Sequence, residues 1–518
     1  MRCKKNRNLP AKKTWGGLFA PGSRQLMVPA NPGELSSSAS ETRFFLLAGR
    51  NFGSPRSFTI SSILILSMIS GFYYLILGPY GGMRAYHSLL YTPNDCRSDA
   101  GWVPIIGVHC FGDYLSPLFP AMQSDPWSGV DPTNYPATGI AIFWIFGHIG
   151  LWLGSRFSQF AYIGLLTAAI LTPAVWAARV SKAHEKIVVF LVCGVAAIPG
   201  LLTIDRGNSI GFEVPIMLAY LIALRREKWK TVAILVVLAA LIKPQFALLG
   251  VALLAAREWR LSLQAGMGLV ITSILAYLLW PADFPSTINR SVKMILNYTS
   301  PAGGNISSTP IIRYNVSFIK GIFLLPDALA ANKTGGVLPA DYLNYGRLSV
   351  GFGIAILVLL CLLILGRRIP PMIAGITLLA TASLFVNVSH NYYLIFAIPI
   401  AALIMRDPQG FPGVGSLDTI SKSHRIAVLL ISISTSASIA QIPLPLPVAV
   451  KAYTAGGKLY PIDGAGPLNV ETTAVLTPLL WLATCLAIIV SFTLTRDRSD
   501  GKSDFSSDDS PRSDSAIK

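Results

Sequence analysis

Apolar runs of 17 or more residues recur between Ser57 and Thr493, and they restrict this chain more than any other feature. A helix that crosses a bilayer needs about 20 such residues. Inside lipid only helices and closed barrels satisfy their own backbone. A barrel would read as short alternating strands, and the sequence has none. Only 13% of the 518 residues are charged, against about 25% in a soluble domain. The pattern predicts an all-α polytopic membrane protein with about 10–12 transmembrane helices.

The formal net charge of +17 invites a nucleic-acid reading, but its distribution argues against one. Residues 1–57 hold ten Lys or Arg against two Glu. Most other basic residues sit in short loops beside apolar runs, as positive charge does on the cytoplasmic side of a membrane. We therefore expect a disordered basic cytoplasmic tail over residues 1–56, an integral membrane domain over 57–494, and a Ser/Asp-rich disordered cytoplasmic tail over 495–518. The first spanning run begins near Ser57 without the short charged lead of a cleaved signal peptide.

The expected spans are residues 58–77, 137–154, 160–178, 187–204, 209–224, 261–279, 348–365, 372–388, 392–405, 426–440 and 473–493. Even parity would put both termini inside. "KAHEK" (residues 182–186) belongs inside by its charge, so either residues 137–154 do not cross fully or the charge rule fails there. Residues 231–256 form an apolar run bounded by "RREKWK" and "REWR", with "IKPQF" at its centre. Proline interrupts the helical ladder. Two half-helices are expected, meeting at Lys243-Pro244 in a broken hairpin that frames a site.

Three segments then face outward: a long first loop over residues 78–136, the turn "DRGN" (Asp205 to Asn208), and residues 281–345. Asp113 lies in an aromatic stretch of the first loop. It is a candidate general base, or a solvated acid or helix cap. Asp205 and Arg206 are costly in hydrocarbon. Gly207 permits a tight turn, and Asn208 can cap the helix that follows. Arg206 either snorkels or binds phosphate or sugar hydroxyls. Lys243 has no acid within ten residues in sequence and needs a partner, either lipid phosphate or headgroups reached by snorkelling. Further outward candidates are Arg313, Asn315, His390 and Tyr393. Cys96 and Cys110 share the first loop, where a disulfide is plausible if the loop is extracytoplasmic. No metal-type cysteine spacing, nucleotide-phosphate loop or Ser-His-Asp order is present; no cofactor is expected, and no residues are assigned to a metal.

"GDYLSP…YPATGIAIFW", "DRGNSIGFEVPIMLAYLIALRREKWKTVAILVVLAALIKPQFALL", "YNVSFIKG" and "NYYLIFAIPIAAL" occur in this order. The set resembles glycosyltransferase family 87, within the C-type membrane glycosyltransferase superfamily, over roughly residues 80–405. The "DRGN…KPQ" block is its most specific part. The resemblance implies a C-type bundle with a long first extracytoplasmic loop. It also implies transfer of mannose or arabinofuranose from a polyprenyl-phosphate donor to an envelope glycolipid or polysaccharide at the outer face. Asp113 matches the family's first-loop base, and Tyr135-Pro136 matches its Tyr-Pro-Pro, with Ala137 in place of the last proline. Asp205, Arg206 and Asn208 match its loop, and Lys243 the lysine of its Lys-Pro pair. By this reading Lys243, Arg206 and Arg313 bind the donor phosphate. Tyr135, Asp205, Asn208, Asn315, His390 and Tyr393 then line the substrate. The competing class is a lipid-linked sugar flippase or polysaccharide transporter, which should carry internal repeats with mid-bilayer sites; no repeat is found. A catalytically inactive scaffold is the third reading.

Overall fold

The computed structural model describes residues 54–72, 111–129, 132–179, 181–298, 315–338, 345–386, 388–410, 414–420, 422–442, 444–448, 452–455, 458–461 and 468–494. Residues 1–53 of the predicted N-terminal tail, the predicted C-terminal tail, Cys96, Cys110 and Arg313 lie outside these residues; Pro55 and Arg56, expected in the tail, instead begin the first helix.

The chain is a helical bundle. Helix α1 (Pro55–Phe72) is followed by the short α2 (Gly112–Ala121). Next come α3 (Ala137–Leu153) and α4 (Ser155–Ala178), joined by Gly154 alone. Its φ of 96° is open to glycine, and it turns the two helices into a hairpin. Among the described residues, five helices are long and apolar enough to cross a membrane, or six if one bent pair counts as a span. The remaining apolar helices are shorter, at 10–17 residues. Large apolar side chains on the outer helices stay bare, such as Met68 at 75% exposure and Ile364 at 78%. Such a surface fits lipid rather than water. The molecule is a multi-pass membrane protein.

One predicted span needs correction. Residues 187–204 do not form one straight helix. Helix α5 (Ala183–Phe190) passes into a π-helical turn at Leu191–Val195 and then bends by 49° into α6 (Ile198–Arg206). Pro199, near the start of α6, has no N–H to continue the ladder. Helix α6 ends at Gly207, whose φ is 67°. A 3-10 turn (Ser209–Phe212) leads into α7 (Glu213–Arg225).

The predicted break at Lys243 is present. Helix α8 (Trp229–Ile242) stops there, a 3-10 segment (Pro244–Gly250) follows, and α9 (Val251–Ala255) completes the second arm. A Cβ on Gly250 would touch Val236 Cγ1 at 3.5 Å. In a straight helix these residues would lie about 20 Å apart, so the chain doubles back at Lys243.

Helix α10 (Trp259–Ala276) follows. The predicted polar segment 281–345 contains two helices, α11 (Ser286–Tyr298) and α12 (Phe318–Lys333). Helices α13 (Tyr345–Leu365) and α14 (Pro371–Leu384) precede a 3-10 turn (Asn391–Phe396) and α15 (Ala397–Met405). Helices α16 (Arg425–Ala440) and α17 (Thr472–Leu494) complete the bundle. Between them lie short strands that the sequence reading did not anticipate. β2 (Pro445–Val448) pairs antiparallel with β5 (Leu468–Glu471), and β3 (Ala452–Ala455) with β4 (Lys458–Pro461). β1 (Val337–Leu338) adds to β3 in parallel.

The core is built on α14 and α15; every residue of α15, and of α14 after Pro371, is buried. A Cβ on Gly375 of α14 would fall 2.3 Å from Leu224 Cδ1 of α7. That close approach fixes α7, and with it the turn at residues 205–208, against the centre of the bundle.

Candidate active site

Asp113 sits in the first turn of α2, after Phe111 in a left-handed conformation (φ 47°). Arg206 grips it with two bonds: Nε donates to Oδ2 at 2.8 Å and an Nη to Oδ1 at 3.1 Å. Asn208 Nδ2 donates to Oδ2 at 2.7 Å. Glycine makes this meeting possible. A Cβ on Gly207 would lie 2.8 Å from Tyr114 Cβ, so any side chain there would push α2 off the turn. Tyr162 Oη donates to the Gly207 carbonyl at 2.9 Å and holds the turn from α4. Asn208 also does what its position predicted. Its Oδ1 accepts from Ile210 N at 3.0 Å and starts the next turn. Arg206 does not snorkel; it is paired and lies over Tyr392, 4.9 Å from the ring centre. Burial pushes the Asp113 carboxyl up, but the Arg206 charge, its bonds and Asn208 outweigh that and lower it to about 2.

Lys243 is 8% exposed and does not reach solvent by snorkelling. Its ammonium lies 4.3 Å from the ring centre of Tyr135 and 5.9 Å from that of Tyr393. It also bonds to the Tyr135 hydroxyl. Tyr135 is held in turn by Trp127, whose Nε1 donates to the Tyr135 carbonyl at 2.8 Å. A Cβ on Gly139 would stand 3.2 Å from the Ile242 carbonyl, which shows how tightly the start of α3 abuts the hairpin tip. The carboxylate that acts on Lys243 electrostatically is Glu213, in the first turn of α7.

His390 ties these groups together. Arg206, Asp113 and Lys243 all act on it electrostatically. Burial, then Arg206, lower its imidazole to about 4, with Asp113 opposing. Its ring stacks on Tyr392 at 5.3 Å. The loop that carries it is latched by Asn315. There Oδ1 accepts from Ser317 N and Ser389 N, both at 3.0 Å. Asn315 is fully buried, so this Asn-Val-Ser triplet is closed to glycosylation and its carbonyl oxygen is already used.

Of the residues singled out from the sequence, Asp113, Arg206, Asn208, Tyr135, Lys243, His390 and Tyr393 come together. Asp205 is buried on the last turn of α6, and Asn315 supports from behind. Tyr392, Tyr162 and Glu213 join them without having been expected. In sequence Glu213 shows only as an acid at the start of an apolar run, which also reads as an ordinary helix-start acid. Among the described residues, no group of three or more His, Cys, Asp or Glu is placed to hold a metal ion.

Residues 133–389 match glycosyltransferase family 87. The matched segment contains Tyr135, Arg206, Asn208, Glu213 and Lys243. It ends one residue before His390 and begins after Asp113. No curated protein matches the chain.

Proposed function

We propose that the protein transfers a sugar, mannose or arabinofuranose, from a polyprenyl-phosphate donor to an envelope glycolipid or polysaccharide acceptor at the outer face, with inversion. The observation that carries this reading is the convergence of one carboxylate, Asp113, with two separate cations, Arg206 and Lys243. They meet in a chain that resembles family 87.

A sugar on a polyprenyl phosphate is already activated, so no nucleotide-binding domain is needed. The acceptor hydroxyl oxygen attacks the anomeric carbon from the face opposite the phosphate. Asp113 takes the hydroxyl proton as the C–O bond forms. The anomeric C–O bond breaks, and its electron pair leaves with the polyprenyl phosphate. Lys243 and Arg206 stabilise that charge where it develops.

The resting geometry sets a condition. A carboxylate held near 2 by Arg206 is a poor base, because efficient bases titrate near the working pH. Asp113 becomes basic when the donor phosphate draws Arg206 away from it. Donor binding thus precedes base activation, and attack waits for a loaded donor.

The test uses purified protein in lipid with radiolabelled polyprenyl-phosphate sugars and an envelope-lipid extract. Wild type transfers label, and Asp113→Ala does not. If no sugar moves but labelled lipid crosses the bilayer in proteoliposomes, the transporter reading replaces this one.

A further inference from the structure

Glu213 is fully buried, and neither of its carboxylate oxygens has a hydrogen bond. An ionised carboxylate in that condition costs several kcal/mol. Its place in the first turn of α7 lends it the positive end of the helix, worth at most about 2 kcal/mol. Among the described residues, the charge that opposes this cost is Lys243. Among the described residues, Lys243 is otherwise held by the tyrosines Tyr135 and Tyr393. Two more buried polar atoms among the described residues, Ser209 Oγ four positions before Glu213 and Gln245 Nε2 two positions after Lys243, make no bond. Protein interiors rarely leave such groups unused, so the surroundings of Lys243 are built for a polar visitor.

We propose that Glu213 is a positioning residue that holds Lys243 as its counter-ion until an anionic phosphodiester arrives and takes the lysine. Glu213 then picks up one proton from solvent, because its carboxylate is left in an apolar setting without a partner. Release of the phosphate-bearing product returns Lys243 to Glu213, and the proton leaves. This exchange rests on the polyprenyl-phosphate reading above, and it makes donor affinity rise as pH falls.

The other titratable groups on this side of the bundle, among the described residues, include Tyr135 and Tyr393 around Lys243, and Asp113, Asp205, Arg206, Tyr162, His390 and Tyr392 at the neighbouring turn. His390 or Asp113 could also take a proton when an anion binds. Such uptake would survive a change at Glu213, which separates the cases.

The experiment is titration calorimetry on the full chain in lipid nanodiscs. The probe is a polyprenyl methyl phosphodiester, whose single charge does not change around neutral pH. Runs in two buffers of different ionisation enthalpy count protons directly. Wild type is expected to take up close to one proton per probe bound, with affinity rising by up to about tenfold per unit fall in pH. Both effects disappear in Glu213→Gln. They disappear as well in Lys243→Met, which tests the exchange from the other side and serves if the first variant does not fold. Binding by wild type without proton uptake overturns the exchange and leaves the donor reading standing. Uptake that persists in Glu213→Gln assigns the proton elsewhere and overturns the role of Glu213. Failure of wild type to bind the phosphodiester overturns the donor reading and the exchange with it.

Discussion

Among the described residues, Arg206 and Lys243 are the two cations of the site, and they are held in opposite ways. Arg206 is locked by two bonds to Asp113 and stands over Tyr392. Lys243 has ring faces, one hydroxyl and a carboxylate that it does not touch through a hydrogen bond. A planar guanidinium suits fixed bidentate contact, and a compact ammonium suits a partner that comes and goes. The contrast teaches a division of labour. The Arg206 side keeps the base in check until the donor phosphate draws Arg206 away, and the Lys243 side stays ready for the same anion.

The largest expected effect comes from breaking the locked side. Asp113→Ala lowers the transfer rate by about a thousandfold or more, within the range for loss of a general base. Single-turnover transfer with labelled donor measures it. Arg206→Lys keeps the charge but loses the fork. It costs about 1.5–3 kcal/mol of charge-assisted bonding, or about tenfold to a hundredfold in kcat/KM. Equal activity in that variant would show that the bidentate geometry is not needed.

On the Lys243 side, Tyr135→Phe keeps the ring face and loses only the hydroxyl, so donor KM rises by less than about tenfold. Tyr135→Ala removes the face as well, worth up to about 2 kcal/mol for a desolvated cation, and raises it further. If the two variants behave alike, the hydroxyl and not the ring holds the lysine.

The locked pair also has a pH signature. The Asp113 carboxyl is lowered in the folded protein from 3.8 to about 2. Its contribution to stability is therefore fully present above pH 3.8 and is lost as pH falls toward 2. Thermal unfolding of wild type against Asp113→Asn should differ by a constant amount from pH 5 to 8. A difference that shrinks within that interval would mean that Arg206 is not bound to Asp113 in solution. The smallest effect is on Tyr162→Phe, which leaves the Gly207 carbonyl without its donor. It costs about 1–2 kcal/mol of stability, read as a modest fall in melting temperature, with donor KM little changed.

The sequence carried much of this arrangement, for local reasons. A lysine and a proline in the middle of an apolar run mark a break, because each is costly there. Asp-Arg-Gly-Asn marks a turn, because glycine accepts the positive φ and asparagine caps. The grip of Arg206 on Asp113 joins residues 93 positions apart, and no spacing rule reports such a contact. Glu213 hides for another reason. An acid at the start of a helix reads as an ordinary partner for the helix dipole, and only burial without hydrogen bonds distinguishes it. The 49° bend before α6 was legible in Pro199, but hydropathy alone averages across it.

The folded-back hairpin has a consequence for how the chain is made. Its first arm has 14 residues and reaches about 21 Å, and its second arm is no longer. A bilayer core is about 30 Å thick, so neither arm is a stable membrane helix by itself. The inserting machinery cannot hand them over one at a time. Both arms are expected to enter as a pair and to be held by α7 and α14, with Lys243 fixed in place once Tyr393 of the Asn391–Phe396 turn packs beside it.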